Sequence, residues 1–244
     1  MTVRCEIPMF CIKIANIPIG IENRYPYVRH LCADYETDGE EPVFTVSVTE
    51  EEILKEQNGE KMFSKGYCEG LCIYRKICLA LIKYDAFLMH SAAISMDDDA
   101  YAFTAQSGVG KTTHIRLWKE QFGDRIQIIN GDKPIYRFIE GQLYVCGTPW
   151  CGKECLGSNI MRPVRSICFL KQGPENHIRS LNISEVSRRI FSQVLLPKDQ
   201  ENFDCFWMLL ERMIMSEKFF ELECNRQPEA AILAYQTMRR REIC

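Results

Sequence analysis

Residues 103–114 read FTAQSGVGKTTH, and the class of the fold turns on them. A strand that bends through small residues into a helix points several backbone N–H groups and the positive end of the helix dipole at one spot, where an anion is stabilised. Ser107-Gly108-Val109-Gly110 supplies that bend, and Gly110-Lys111-Thr112 fits the end of a nucleotide-binding loop. Lys111 would then reach the β and γ phosphates of a triphosphate, and the Thr112 hydroxyl would bind Mg²⁺. The glycine that ordinarily opens this pattern is Ala105 here. Alanine costs little at that place provided that it keeps a negative φ.

Working outward, apolar runs mark strands at Ala86 to Met96 and Ala100 to Thr104, joined across Asp97-Asp98-Asp99, an acidic hairpin turn rather than a metal site. A helix follows from Lys111 to Gln121, and RIQIIN (125–130) forms the next strand, ending at Gly131-Asp132. If both flanking strands neighbour the loop strand, His90 and Asp132 approach the γ-phosphate and its metal. A carboxylate there could ligate Mg²⁺ or accept the proton of an attacking hydroxyl, and an imidazole could bind metal or contact phosphate. A buried, hydrogen-bonded histidine without a chemical role is the commoner case, so local sequence alone does not assign His90.

Further strands are expected at 134–139, 143–146, 166–170 and 219–222, and helices at 66–84, 184–194, 201–215 and 228–239. Asn182-Ile183-Ser184-Glu185 carries a capping signal. Residues 1–65, with alternating runs such as Phe44-Thr45-Val46-Ser47-Val48 and a turn at Asp38-Gly39, read as a small strand-rich region packed on a main domain of residues 66–244. The fold class expected is α/β with an α+β tendency, a mixed sheet carrying a phosphate loop.

The chain has 244 residues, 46% hydrophobic and 26% charged, with a formal charge of −3. No long Lys/Arg block is present to neutralise phosphates, which argues against nucleic acid as a partner; Arg239-Arg240-Arg241 reads as a solvated helix end. No apolar run approaches the ~20 residues that span a bilayer, and MTVRCEIPMF lacks a signal-peptide core. A cytoplasmic protein without membrane contact is expected. The thirteen cysteines are odd in number and irregularly spaced. Neither Cys68, Cys72 and Cys78 nor Cys151 and Cys155 has the C-x₂-C spacing that zinc favours, so all are read as reduced thiols.

The order MHSAA, SGVGKTT, INGD resembles the nucleotide core of HPr kinase/phosphorylase and of the phosphoenolpyruvate carboxykinases. AQSGVGKTTHIRLW, IINGDKPIYR and GTPWCGKE are similar to small HPr-kinase-related bacterial proteins, some encoded beside peptide-modification genes. The similarity is strong over about residues 86–156 and weak to the end. It implies that Ser107, Gly108, Val109, Gly110, Lys111, Thr112 and Thr113 bind nucleotide. His90 matches the histidine that precedes the loop, a metal ligand in the carboxykinases. Asp132 matches the acidic position after the next strand, where the larger families usually carry two adjacent aspartates; here the neighbours are Gly131 and Lys133. Asp132 would then serve as base and metal ligand together, or Glu154 would take one duty. In Gly147-Thr148-Pro149-Trp150-Cys151-Gly152-Lys153-Glu154, Lys153 and Glu154 could face phosphate and Mg²⁺, and Lys133, like Lys153, could contact substrate or phosphate.

The resemblance implies ATP with Mg²⁺, or Mn²⁺ in its place, and His90, Lys111 and Asp132 as the catalytic group. Carboxykinase activity is argued against by length, because those enzymes need a large further domain for their dicarboxylic substrate. The first expectation is a kinase phosphorylating a serine or other hydroxyl of a small protein or peptide. The others are a nucleotide-responsive peptide- or partner-binding module without catalysis, and a small-metabolite kinase. Oligomers are common among the larger relatives, which leaves a homo-oligomer open.

Overall fold

The computed structural model describes residues 9–58 and 63–240; Arg241 and most of the segment MTVRCEIPMF lie outside them. The described N-terminal part starts as a hairpin, β1 (Met9–Ile14) and β2 (Ile17–Glu22), whose isoleucines alternate into the core. It reverses at Ala15 and Asn16, both with positive φ (53° and 60°), as a two-residue hairpin loop requires. A short helix α1 (Pro26–Leu31) leads to β3 (Phe44–Ser47), which joins β2 in parallel. Helix α2 (Glu50–Gln57) starts on a reciprocal cap between Thr49 and Glu52, and α3 (Lys65–Ala80) starts on Ser64. Ile12, Ile14, Ile19 and Ile21 of the hairpin, Ile53 of α2 and Ile73 and Ile77 of α3 are all fully buried in one cluster. Their removal from water is the main force holding the small sheet to α3. The region is therefore strand and helix together, more helical than its alternating runs suggest.

Among the described residues the larger sheet has nine strands. β4 (Ala86–Leu88), β5 (Ser91–Met96) and β6 (Asp99–Thr104) precede α4 (Lys111–Phe122) and β7 (Gln127–Asn130). Then come β8 (Ile135–Ile139), β9 (Gln142–Cys146), β10 (Met161–Gln172), β11 (His177–Ser180), α5 (Ile183–Ile190), α6 (Gln200–Ser216), β12 (Phe219–Cys224) and α7 (Glu229–Met238). The order is β4-β8-β9-β10-β6-β5-β7, with β12 also on β10 and β11 on β12. β10 is where the sheet branches. Met161–Pro163 pair antiparallel with β9, and from Val164 the strand pairs in parallel with β6, then β12. Pro163, which has no N–H to donate, sits where the partner changes, just before an irregularity in register. This is a mixed α/β fold.

Two expectations need correction. The strand expected over 86–96 breaks at Met89-His90, because Ala86–Leu88 pair with β8 while Ser91–Met96 pair with β6 and β7. The strand carrying Asp132 is also not beside the loop strand, since β5 lies between β6 and β7. β5 runs antiparallel to both neighbours, so its N-terminal end, the C-terminal end of β6 and the C-terminal end of β7 still meet at one edge. The hairpin at Asp97-Asp98 is present, with φ of 53° and 67°.

α4 and α7 cover one face of this sheet, and α5 and α6 cover another. The α4 layer centres on Trp118, fully buried against Tyr101, Phe103 and Phe122. Its indole N–H donates to Nε2 of His114 at 3.0 Å. His114 is 2% exposed, and burial pushes its pKa down to about 3. That lies below the unfolded value of about 6.5, so below pH 6.5 the unfolded chain takes up a proton that the folded chain refuses. The stability contributed is complete above about pH 6.5 and lost as the pH falls below it. Between pH 7.5 and 5 this group should cost about 2 kcal/mol. Urea unfolding at the two pH values reads the loss, and His114→Gln, which cannot titrate there, should remove that share. An equally acid-sensitive variant contradicts this account.

Candidate active site

The edge where β5, β6 and β7 end gathers most of the residues singled out from sequence. The loop 105–110 leaves β6 and enters α4 through Gly110 (φ 116°), with Gly108 (φ 83°) before it. A Cβ on Gly108 would meet nothing within 4 Å, so backbone conformation and not space calls for glycine there. Ala105 is absent from the residues of positive φ, as its place at the loop entrance requires. Gln172 of β10 donates from Nε2 to the Val109 carbonyl at 2.9 Å and ties the loop down. Among the described residues no side chain caps α4, which leaves its first N–H groups open toward the loop.

Lys111, the first residue of α4, folds back across the loop and donates to the Ala105 carbonyl at 3.1 Å. It is 7% exposed. An ammonium has three donors, and one carbonyl is its recorded acceptor among the described residues. Burial lowers its pKa, opposed by the charge of Asp132. A buried cation with spare donors beside open helical N–H groups makes an anion-seeking corner.

His90 and Asp132, far apart in sequence, are in contact: His90 Nε2 lies 2.9 Å from Asp132 Oδ1. His90 is held through its backbone. Its N–H donates to the Gln193 carbonyl at 2.6 Å, and its own carbonyl accepts from the Thr104 hydroxyl at 2.8 Å, at the end of the loop strand. Asp132 is held by Asn130, whose Oδ1 accepts from the N–H groups of Asp132 (2.9 Å) and Lys133 (2.7 Å) in a tight Asx turn. Asn130 Nδ2 in turn donates to the carbonyl and hydroxyl oxygens of Thr148. Burial alone would raise the Asp132 carboxyl, but the hydrogen bond and charge of His90, with Lys133 and Lys111 behind, outweigh it and hold the carboxyl below its ordinary range. One carboxylate oxygen is engaged by the imidazole, and the other has, among the described residues, only Lys133 Nζ nearby, at 4.0 Å.

The segment 147–158 is stitched to this edge. Gly131 N–H donates to the Leu156 carbonyl at 2.7 Å, and Ser158 N–H to the Ile129 carbonyl at 3.1 Å. Gly152 (φ 85°) packs so closely on Asp132 that a Cβ there would come within 2.9 Å of the aspartate Cβ. Trp150 lies flat on Tyr74 of α3, with ring centroids 4.3 Å apart, under the small sheet rather than over the loop. Glu154, expected beside the metal, forms an ion pair with Arg116 of α4 instead. Lys153 is exposed and makes no hydrogen bond or ion pair among the described residues. Ser107 is exposed, Thr112 half-buried and Thr113 exposed at the loop and helix entrance. Among the described residues no group of three or more His, Cys, Asp or Glu could hold a metal by itself, and all eleven cysteines are unpaired.

Two concave spaces flank the edge. One, of about 90 Å³, lies between the loop, α4 and the ends of β10 and β12. The other, of about 200 Å³, lies between α3 and His90, with Lys133 on its wall. Asn130, Thr148, Thr104 and Gln193 are the supporting residues that sequence reasoning missed. Only Asn130 carried a local signal, an Asn two residues before Asp at a strand end.

No family model matches the chain, and no curated protein matches it. Among solved structures, the Hpr(Ser) kinase/phosphatase from Coxiella burnetii is similar over 52% of this chain and 96% of its own, at 13% identity and a TM-score of 0.29. A likeness so slight carries no argument about this chain. No helix among the described residues is long and apolar enough to cross a membrane.

Proposed function

We propose that the chain is an ATP-dependent kinase that moves the γ-phosphoryl group to a hydroxyl, seryl in the first instance, of a small protein or peptide. The observation that supports this reading most directly is a buried Lys111 at an uncapped helix start, beside a carboxylate aligned by His90. Phosphoryl transfer asks little covalent chemistry of a protein; positioning and charge neutralisation are most of the task. The loop N–H groups and Lys111 would hold the β and γ phosphates. The unengaged oxygen of Asp132 and the Thr112 hydroxyl fit a Mg²⁺ ion, which typically takes one or two protein oxygens alongside substrate phosphates and waters. That ion would offset the charge on the phosphate oxygens, and Mn²⁺ would suit the same donors. Glu154, tied to Arg116, is outside this set.

The acceptor hydroxyl would enter from the cavity beside α3, whose walls include Leu71, Leu88, Leu195, His90 and Lys133. As its oxygen bonds to the γ phosphorus, the bond to the ADP oxygen breaks and the hydroxyl proton passes to Asp132. His90 fixes the carboxylate in orientation and shares the developing charge. Incubation with γ-labelled ATP, Mg²⁺ and the soluble peptides and proteins of the source cell should label a discrete hydroxyl acceptor. Calorimetry should register ATP binding that Lys111→Ala weakens by at least tenfold, the scale of a lost charge-assisted contact. No ATP binding by the intact protein sinks the reading.

One observation favours a second reading. The surroundings of Asp132 depress its pKa, which makes it a weak base. A nucleotide-responsive module that grips a partner without turnover would show ATP binding, tighter partner binding with ATP, and no transfer.

A further inference from the structure

The cavity beside α3 has a wall that the chemistry at Asp132 leaves unexplained. Among the described residues its lining includes Leu71, Leu88 and Leu195, the cations Arg75 and Lys133, and His90, but no carboxylate. Arg75 is engaged, since its Nη1 and Nη2 donate to the two carboxylate oxygens of Glu56 at 2.9 and 3.0 Å. Lys133 is held differently. Its N–H donates to Asn130 Oδ1 at 2.7 Å, and its carbonyl accepts from the hydroxyls of Tyr74 (2.5 Å) and Thr148 (2.9 Å). Its side chain is 37% exposed, and Nζ makes no hydrogen bond among the described residues; Asp132 Oδ2, at 4.0 Å, is beyond that reach. Glu56 is within electrostatic range of Lys133, but Arg75 already takes both of its oxygens. An ammonium has three donors, so Lys133 is a cation with open donors on an anchored backbone.

We propose that Lys133 selects an acidic acceptor: the peptide hydroxyl that reaches Asp132 is accompanied by a carboxylate that Lys133 binds, with an apolar side chain against Leu71, Leu88 and Leu195. The inference rests on the reading of Asp132 as the group that takes the hydroxyl proton, and it names the class of acceptor. Lys111 stands at the loop, whereas Lys133 is on the wall of the cavity beside α3 and not on that of the space between the loop and α4. Its ligand is therefore the acceptor rather than the nucleotide. At about 200 Å³ the cavity is several times the ~30 Å³ share of one water, enough for a side chain or two and too little for a folded segment. With Nζ 4.0 Å from Asp132 Oδ2, a hydrogen bond at each end puts hydroxyl and carboxylate within about 10 Å of each other, no more than about three residues of extended chain. Lys133 is a specificity residue: it touches the acceptor and none of the reacting atoms.

The test uses the full chain, γ-labelled ATP and three series of synthetic peptides. Each peptide has a single serine, leucines nearby, and glutamate, glutamine or lysine close beside the serine. Wild type should label the glutamate series about tenfold or more above the glutamine series in kcat/KM, chiefly through KM, the scale of one charge-assisted hydrogen bond. The lysine series should be poorest. Lys133→Gln should bring the glutamate and glutamine series within about threefold of each other, and Lys133→Glu should make the lysine series the best. By calorimetry, ATP affinity in Lys133→Gln should change by less than about threefold, below the loss of a contact to a charged group. Equal efficiencies for the three series in wild type, or a preference that Lys133→Gln leaves in place, overturns the inference while the kinase reading stands. So does a fall in ATP affinity that matches the fall in rate, which makes Lys133 a phosphate contact. If no series is labelled, binding of dye-tagged peptides to the protein loaded with a non-hydrolysable ATP analogue decides: the same order upholds the inference for a module without turnover, and no order overturns it. A wild type that binds no ATP takes the loop reading down, and the inference with it.

Discussion

Asp132→Asn is expected to reduce phosphoryl transfer by about 10²–10⁴-fold, the range seen when a general acid or base is removed, while ATP affinity changes by less than tenfold. The asymmetry follows from the local bonds. The amide oxygen of Asn can still accept from His90, and its backbone N–H still reaches Asn130, so the turn that places residue 132 is kept. The negative charge goes, and with it the counter-charge of Lys111 and, on the proposed kinase reading, the proton acceptor and the metal oxygen. On the proposed reading Lys111 would still face the phosphates, so binding should survive where chemistry does not. Initial rates of label transfer and parallel calorimetry separate the two quantities. Undiminished transfer in Asp132→Asn removes the carboxylate from the chemistry; an equal fall in rate and affinity makes it a binding group.

The largest structural effect is expected at Gly147. A Cβ there would lie 1.9 Å from the Ser158 carbonyl oxygen and 2.9 Å from that of Ile129. Both are backbone atoms and neither can swing aside. Overpacking usually costs 1–3 kcal/mol and occasionally more, and Gly147→Ala belongs at or above the top of that range, about 3 kcal/mol. For a chain of this size that corresponds to roughly 6–12 °C in melting temperature. Gly123→Ala is the control: nothing lies within 4 Å of a Cβ there, so its cost is the backbone strain of φ 59°, ψ −130° alone, about 1–3 kcal/mol, and any excess at Gly147 measures the clash. Equal melting temperatures for the two variants would show that the segment 147–158 yields freely. The same substitution should impair the site, since Ser158 bonds to Ile129, one residue before Asn130.

Much of the architecture was legible. The helix expected at 66–84 is α3 with its closing turn, the helix at 111–121 is α4, and the cap at Asn182-Glu185 is formed as read. These depend on spacing within a turn or two, which neighbouring residues dictate. The strand β11 escaped notice because four residues of mixed polarity, HIRS, have no period of their own; pairing with β12 makes them a strand. The break at Met89-His90 was hidden for a similar reason. The apolar run continues, and only the switch of partner from β8 to β6 and β7 interrupts it.

The site divides along the same line. Gly108, Gly110 and Lys111 declared themselves because a strand, a left-handed bend and a helix start follow one another within a dozen residues, and local backbone sterics decide that arrangement. That His90 and Asp132 touch, that Glu154 turns to Arg116, and that Asn130 joins Asp132 to Thr148 were decided by the tertiary structure. Each depends on which strand lies beside which, and strand order is set by burial of apolar faces across the whole sheet, a sum over distant residues that no local stretch contains. The sequence by itself determined the glycine bend into the start of α4 with Lys111 behind it; the order β6-β5-β7 set a carboxylate and an imidazole at the same edge.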